Sequence, residues 1–248
     1  MVLNDNRRIV AVADAAALAK TAADRMVARM AANPERVAIC LTGGSSPKQL
    51  YELLGKEPYR SRIPWQRVHW FIGDERFVPA NDPLNNMRMA QQCFLNRCAP
   101  LVNIHPVATD AENPEEAAQR YEIDLKAFYG ADRLERGRPL FDVVLMGVGP
   151  DGHTASLFPG DPALAETERW VVGVAKAHVA PFVSRVTLTL PVLASCHEML
   201  FEVSGADKRT ILSRVLAGED LPSSRAQSAG ETIWMVDRAA MPENFRGQ

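Results

Sequence analysis

A chain of 248 residues, 47% hydrophobic and 23% charged, can bury a full core as one large α/β domain over residues 1–248. Its formal net charge of -2 supplies no electrostatic reason to expect a nucleic acid or an anionic membrane as partner. Cys40, Cys93, Cys98 and Cys196 form no CxxC pair and no Cys/His grouping at zinc spacing; no metal site is expected, and the thiols read as reduced, in a cytoplasmic protein.

Arg7 and Arg8 followed by IVAVADAAALA have the outline of a signal peptide, but Asp14 interrupts the apolar run. The alternating IVAVA predicts a strand over 9–13, and Asp14 an N-cap for a helix reaching residue 32, with Leu18, Ala22, Met26 and Met30 on one face. No apolar stretch approaches the roughly 20 residues of a membrane span. VAICL, 37–41, predicts a central strand, and Pro47 suits the first turn of a helix continuing through KQLYELL. Between them stand Thr42, Gly43, Gly44, Ser45 and Ser46. Such a turn would present free backbone N–H groups and two hydroxyls to a phosphate; it is equally readable as a tight turn with Ser46 as the N-cap. It is not a Walker A loop, so a phosphorylated small molecule is favoured over a nucleotide.

A third strand is expected in VHWFIGDERFV from Val68, ending in Asp74, Glu75 and Arg76. Three charges after a buried run are either a solvated strand end, the commoner outcome, or a cluster facing the sheet's rim. NDPLNNMRMAQQCFL reads as a turn entering a helix, 114–129 as a charged surface helix, and 133–139 as a polar connection. FDVVLM, 141–146, predicts a strand buried on both faces. Further strands are expected in WVVGVA from Trp170, SRVTLTL over 184–190, EMLFEVSG from Glu198, and TIWMVD. Helical turns are expected near Pro191, over ADKRTILSRVLAG and over 223–229. Alternating strands and helices without repeat or low-complexity linker predict a single doubly wound, mostly parallel α/β sheet with helices on both faces.

The strand at 141–146 runs into GVGPDGHTASLFP, which delivers Asp151 and His153 to the carboxyl rim, where ligands of open α/β sheets sit. Gly147, Gly149 and Gly152 satisfy G-x-G-x-x-G, but Pro150 removes a donor and no clear amphipathic helix follows, which argues against a dinucleotide. A single histidine is usually structural, and His69, His105, His178 and His197 have no motif around them. His153 differs in having Asp151 two residues away, and a carboxylate beside an imidazole fixes its tautomer as a general base requires. No G-x-S-x-G elbow is present, so activated water is a more natural attacker than serine.

LTGGSSPKQLYELL, WFIGDERFVP with NDPLNN, VLMGVGPDGHTASLFP, and PFVSRVTLTLP with SGADKR resemble the 6-phosphogluconolactonases of the oxidative pentose phosphate pathway, in the family's order and over about residues 9–237. The resemblance implies the modified Rossmann-like fold shared with glucosamine-6-phosphate deaminases. It also implies hydrolysis of 6-phospho-D-glucono-1,5-lactone to 6-phospho-D-gluconate, with no cofactor and with the phosphorylated sugar lactone as small-molecule partner of a monomer. By matching position, His153 would be the base and Asp151 its orienting partner. Gly43, Gly44, Ser45, Ser46, Arg76, Arg185 and Lys208 would receive the phosphate. Asp74 would face the sugar hydroxyls or the reacting end, and Asn86 would help hold the DER loop. Asn85 departs from the serine more usual there. The deaminases themselves carry a glutamate five residues after the histidine, where this chain has Phe158, and an aromatic residue where it has Arg76. A non-catalytic sugar-phosphate sensor is the remaining alternative; it gives Asp151 and His153 no reason to sit together.

Overall fold

The structure, a computed structural model, describes residues 2–4 and 7–243. Its strands are β1 (Val2–Asn4), β2 (Arg7–Val12), β3 (Val37–Leu41), β4 (Val68–Ile72), β5 (Asp74–Arg76), β6 (Phe141–Met146), β7 (Val171–Val174), β8 (Arg185–Leu188), β9 (Cys196–Val203) and β10 (Glu231–Asp237). Its α-helices are α1 (Ala15–Ala32), α2 (Ser46–Leu54), α3 (Tyr59–Arg62), α4 (Asn86–Ala90), α5 (Asn96–Cys98), α6 (Pro114–Tyr129), α7 (Leu190–Ala194), α8 (Arg209–Leu216) and α9 (Pro222–Arg225). Among the described residues no helix is long and apolar enough to cross a membrane.

The main sheet has the order β1-β2-β10-β9-β6-β3-β4, with every pairing parallel except that of β1 with β2. Every residue of β3 and β6 is buried, so both faces of the sheet are covered there, as their uninterrupted apolar sequences require. Asp14 caps α1 by accepting from the Ala17 amide at 2.9 Å, and Leu18, Ala22, Met26 and Met30 are all buried.

Chain progress reverses between β3 and β6. From β3 the chain moves outward to β4, whereas from β6 it moves the other way through β9 and β10. The connections leaving the carboxyl ends of β3 and β6 therefore diverge, which opens a crevice at that rim. Two buried tyrosines finish the neighbouring strand ends. Tyr51 of α2 accepts from the Thr42 amide at 3.0 Å and donates to its carbonyl at 2.7 Å; Tyr121 of α6 does the same at Ile72, at 2.9 and 3.1 Å.

The doubly wound, mostly parallel sheet is present as expected, and two of the expected strand segments and the second half of a third lie outside it. The segment from Val68 divides at Gly73, whose amide donates to Leu41 O and whose carbonyl accepts from Leu188 N. Beyond it β5, β8 and β7 form a second, antiparallel sheet. Asp74 and Glu75 are 7% and 0% exposed, so the DER segment is no solvated strand end. The helix expected over 223–229 is only α9; beyond it the Ala229 amide donates to Ala194 O and the Gly230 amide to Cys196 O, drawing the chain across the start of β9. The Ser46 cap is also corrected, because α2 begins at Ser46 with Ser45 before it and with no side-chain cap.

The β3–β6 pairing at the crevice is short, with Ile39 opposite Val143 and Cys40 opposite Val144. A buried carboxylate extends it: Asp142 accepts from the Ala38 amide at 2.9 Å and from Asn33 Nδ2 at 3.0 Å. Asp142→Ala orphans a buried strand N–H and is expected to cost about 1–3 kcal/mol, read as a lower urea midpoint with an unchanged slope.

Candidate functional site

The crevice holds a cleft of about 460 Å³ lined by residues from five parts of the chain. The turn after β3 brings Gly43, Gly44, Ser45 and Ser46, and β5 brings Asp74 and Arg76. His153 comes from the loop after β6, Arg185 from the start of β8, and Lys208 from the turn after β9. Asp151 and Asn86 stand behind this lining, each bonded to a residue in it.

The glycine turn is shaped by close approach. A Cβ at Gly43 would lie 2.1 Å from Asn86 Oδ1, so only glycine lets the Asn86 amide pass behind the turn. That amide donates to the Asp74 carbonyl at 2.9 Å. The turn then feeds the N-terminus of α2, whose first turn contains no acidic residue and whose Ser45 and Ser46 hydroxyls make no cap. A helix N-terminus with free donors and no competing carboxylate is suited to an anion.

On the facing side, Asp151 Oδ1 lies 2.5 Å from His153 Nδ1 and accepts from the His153 amide at 3.1 Å. Burial alone would raise the Asp151 carboxyl, but the His153 hydrogen bond and charge outweigh it and hold the group below its ordinary range. An ionised Asp151 accepts a hydrogen bond from Nδ1–H, which leaves Nε2 as the basic nitrogen of the imidazole. A Cβ at Gly149 would lie 2.0 Å from the imidazole, so that glycine makes room for the ring. Phe158, fully buried, packs its ring 4.8 Å from the imidazole. No helix follows Gly152; Thr154 instead pairs with Leu157, and Thr154 Oγ1 donates to Gly147 O at 2.8 Å.

The cations between these two turns are tethered by backbone carbonyls, with carboxylates no nearer than 4.0 Å to Arg185 and Lys208. Arg185, 4% exposed, donates to Pro181 O at 2.9 Å and stands 4.0 Å from Asp74 Oδ2. Burial lowers its guanidinium and Asp74 opposes that shift. Arg76 donates to Leu84 O at 2.9 Å and Lys208 to Val148 O at 3.0 Å. The Nε donors of Arg76 and Arg185 are buried without a partner.

Sequence reasoning missed the supports. Ser156 donates to Asp74 Oδ2 at 2.7 Å across 82 positions of sequence, tying the His153 loop to β5. Glu75 accepts from the amides of Arg76, Asn86 and Met87 at 2.8, 2.6 and 2.9 Å, while burial pushes its carboxyl up to about 7 against their pull. Glu202 also lines the cleft, 3% exposed; a lone acid inside the apolar run MLFEV was the signal available for it. Away from the cleft, His69 Nδ1 lies 3.0 Å from His105 Nε2, and His105 Nδ1 lies 2.8 Å from Asp124.

Because His153 is what holds the Asp151 carboxyl down, His153→Ala is expected to move that carboxyl upward. A carbon-detected NMR titration of Asp151 in the two proteins measures the change, and an unmoved carboxyl would separate the pair.

A sequence model of the family described as glucosamine-6-phosphate isomerases/6-phosphogluconolactonase matches residues 13–234. A curated 6-phosphogluconolactonase of a Synechocystis strain is 41% identical over 214 residues, covering 84% of each chain. One from Streptomyces coelicolor is 34% identical over 250 residues, covering 96% of this chain and 95% of its own. Among solved structures, the 6-phosphogluconolactonase of Leishmania guyanensis superposes with a TM-score of 0.85 at 26% identity, over 97% of this chain and 99% of that one. With the match running from the glycine turn through the His153 loop to β10, the chain belongs to the glucosamine-6-phosphate isomerase/6-phosphogluconolactonase family.

Proposed function

We propose that the protein is a 6-phosphogluconolactonase, hydrolysing 6-phospho-D-glucono-1,5-lactone to 6-phospho-D-gluconate in the oxidative pentose phosphate pathway. The observation that carries this reading is the convergence of the glycine turn at 42–47 and the His153–Asp151 pair on one cleft, with Arg76, Arg185 and Lys208 around it. The kinship with curated 6-phosphogluconolactonases supports it.

The phosphate is received by the N-terminus of α2, the Ser45 and Ser46 hydroxyls and the three cations, whose unpartnered arginine N–H groups suit a multiply charged oxyanion. Anchoring that end brings C1 toward His153 and converts attack by water into an intramolecular step. Nε2 takes the proton as water attacks the carbonyl, and Asp151 stabilises the imidazolium formed. The C1–O5 bond then breaks, and the imidazolium returns its proton to the departing ring oxygen. Asp74, held in place by Ser156, faces the sugar.

Amine elimination by the deaminase branch is disfavoured by Phe158. At that position this chain has a buried ring against His153, where the deaminases carry a carboxylate.

His153→Ala is expected to lower kcat by about 10²–10⁴-fold, followed as proton release from freshly generated lactone after subtraction of spontaneous hydrolysis. Rates equal to wild type would remove His153 as the base. Arg185→Ala removes a charge-assisted hydrogen bond of about 1.5–3 kcal/mol and is expected to raise KM by about 10- to 100-fold, with a smaller effect on kcat. An unchanged KM would take Arg185 out of phosphate binding.

A further inference from the structure

Glu202 is an ionisable group that the proposed reaction does not use. It lies near the carboxyl end of β9, 3% exposed, and both carboxyl oxygens are buried without a hydrogen-bond partner. Its strand-mate four residues earlier, Glu198, is paired with Arg25 of α1; Glu202 has no counterpart cation. An ionised carboxylate so enclosed and unpaired carries a large desolvation penalty, which protonation relieves.

Its neighbours place that acid near the anion end of the cleft. Glu202 acts electrostatically on the Tyr51 phenol, which burial pushes well up and Glu202 pushes further. The Tyr51 hydroxyl is bonded to both backbone groups of Thr42, the residue that begins the glycine turn. The other titratable or charged groups around it are Lys208 and Asp207 in the turn after β9, Asp237 at the end of β10, and His153, Asp74, Arg76 and Arg185 across the cleft. Lys208 is tied to Val148 O, and Asp237 to Ser204 and Gly205. Burial is what pushes the Glu202 carboxyl up.

Building on the phosphate-binding reading above, we propose that Glu202 is a positioning residue for the phosphate. As a neutral acid it leaves the field of the glycine turn and of the three cations intact, and on ionising it drives the bound phosphate out. The cleft thus takes the dianionic phosphate of its ligand together with a proton on Glu202.

The carboxyl is pushed up to about 8 by burial, so both forms are reachable in ordinary buffers. A ligand that binds only the protonated form loses affinity tenfold per pH unit above that value and takes up one proton on binding there. A phosphate ester, with its second pKa near 6, stays dianionic throughout and does not confound the slope.

The test is titration calorimetry with 6-phosphogluconate between pH 7 and 9.5, in buffers of different ionisation enthalpy. Wild type is expected to show a dissociation constant rising about tenfold per unit above pH 8, with about one proton taken up per ligand. Glu202→Gln, neutral and of the same shape, is expected to match wild type at pH 7, remain flat, and take up none. A flat wild-type profile without proton uptake, or a variant that keeps the slope, overturns the proposal. If the variant does not fold, the wild-type proton count alone decides. Inorganic phosphate serves as the second probe. Its binding with the same pH dependence while 6-phosphogluconate fails would sink the substrate reading and leave Glu202 standing; failure of both at pH 7 sinks both.

Discussion

The Asp74 carboxylate is the constraint on which the site depends. It is nearly buried, and a charge in that position has to be paired or hydrogen-bonded. Oδ2 meets both needs by accepting from the Ser156 hydroxyl and facing the Arg185 guanidinium. Three segments separated by dozens of residues are thereby held together: the strand after Gly73, the loop that carries His153, and the start of β8. Neither partner could be exchanged for an apolar residue without stranding the other charge, so the geometry of the pocket and the stability of the small sheet rest on one ionic cluster.

Much of this was legible from the chain alone, for identifiable reasons. VAICL and FDVVLM announce strands because burial on both faces leaves no polar alternation to misread. The helix after Asp14 announces itself because its cap is local. The glycine turn and the His153 loop stand out because close backbone approaches restrict residue choice, as at Gly43 and Gly149. The break at Gly73 could not be read, since what diverts the strand is the amide of Leu188, more than a hundred residues later. The burial of Asp74 and Glu75 follows from that break, and so does the error of reading them as solvated. Supports such as Ser156 were invisible for the same reason: a serine's partner is set by tertiary contact, not by its neighbours in sequence.

Net charge proved a poor guide to the local field. The chain is close to neutral, yet the cleft gathers two arginines, a lysine and a helix N-terminus around Asp74, with Asp207 and the buried Glu202 also in its wall. Low-dielectric walls focus such an arrangement on whatever lies between them. Overall charge excludes broad classes of partner, whereas the chemistry of a small anionic ligand is decided by a handful of groups whose convergence only the fold supplies.

Gly73 is the single residue between β4 and β5, and its amide is bonded to the carbonyl of Leu41 at the end of β3. The glycine turn and the Asp74 strand therefore spring from one hydrogen-bonded block and behave as a fixed jaw. Val179 and Ala180 edge the cleft elsewhere, in the loop that precedes β8 and carries the solvent-facing ring of Phe182. A molecule seated in the cleft thus meets one wall whose spacing the main sheet itself sets, and another set by the loop that precedes β8.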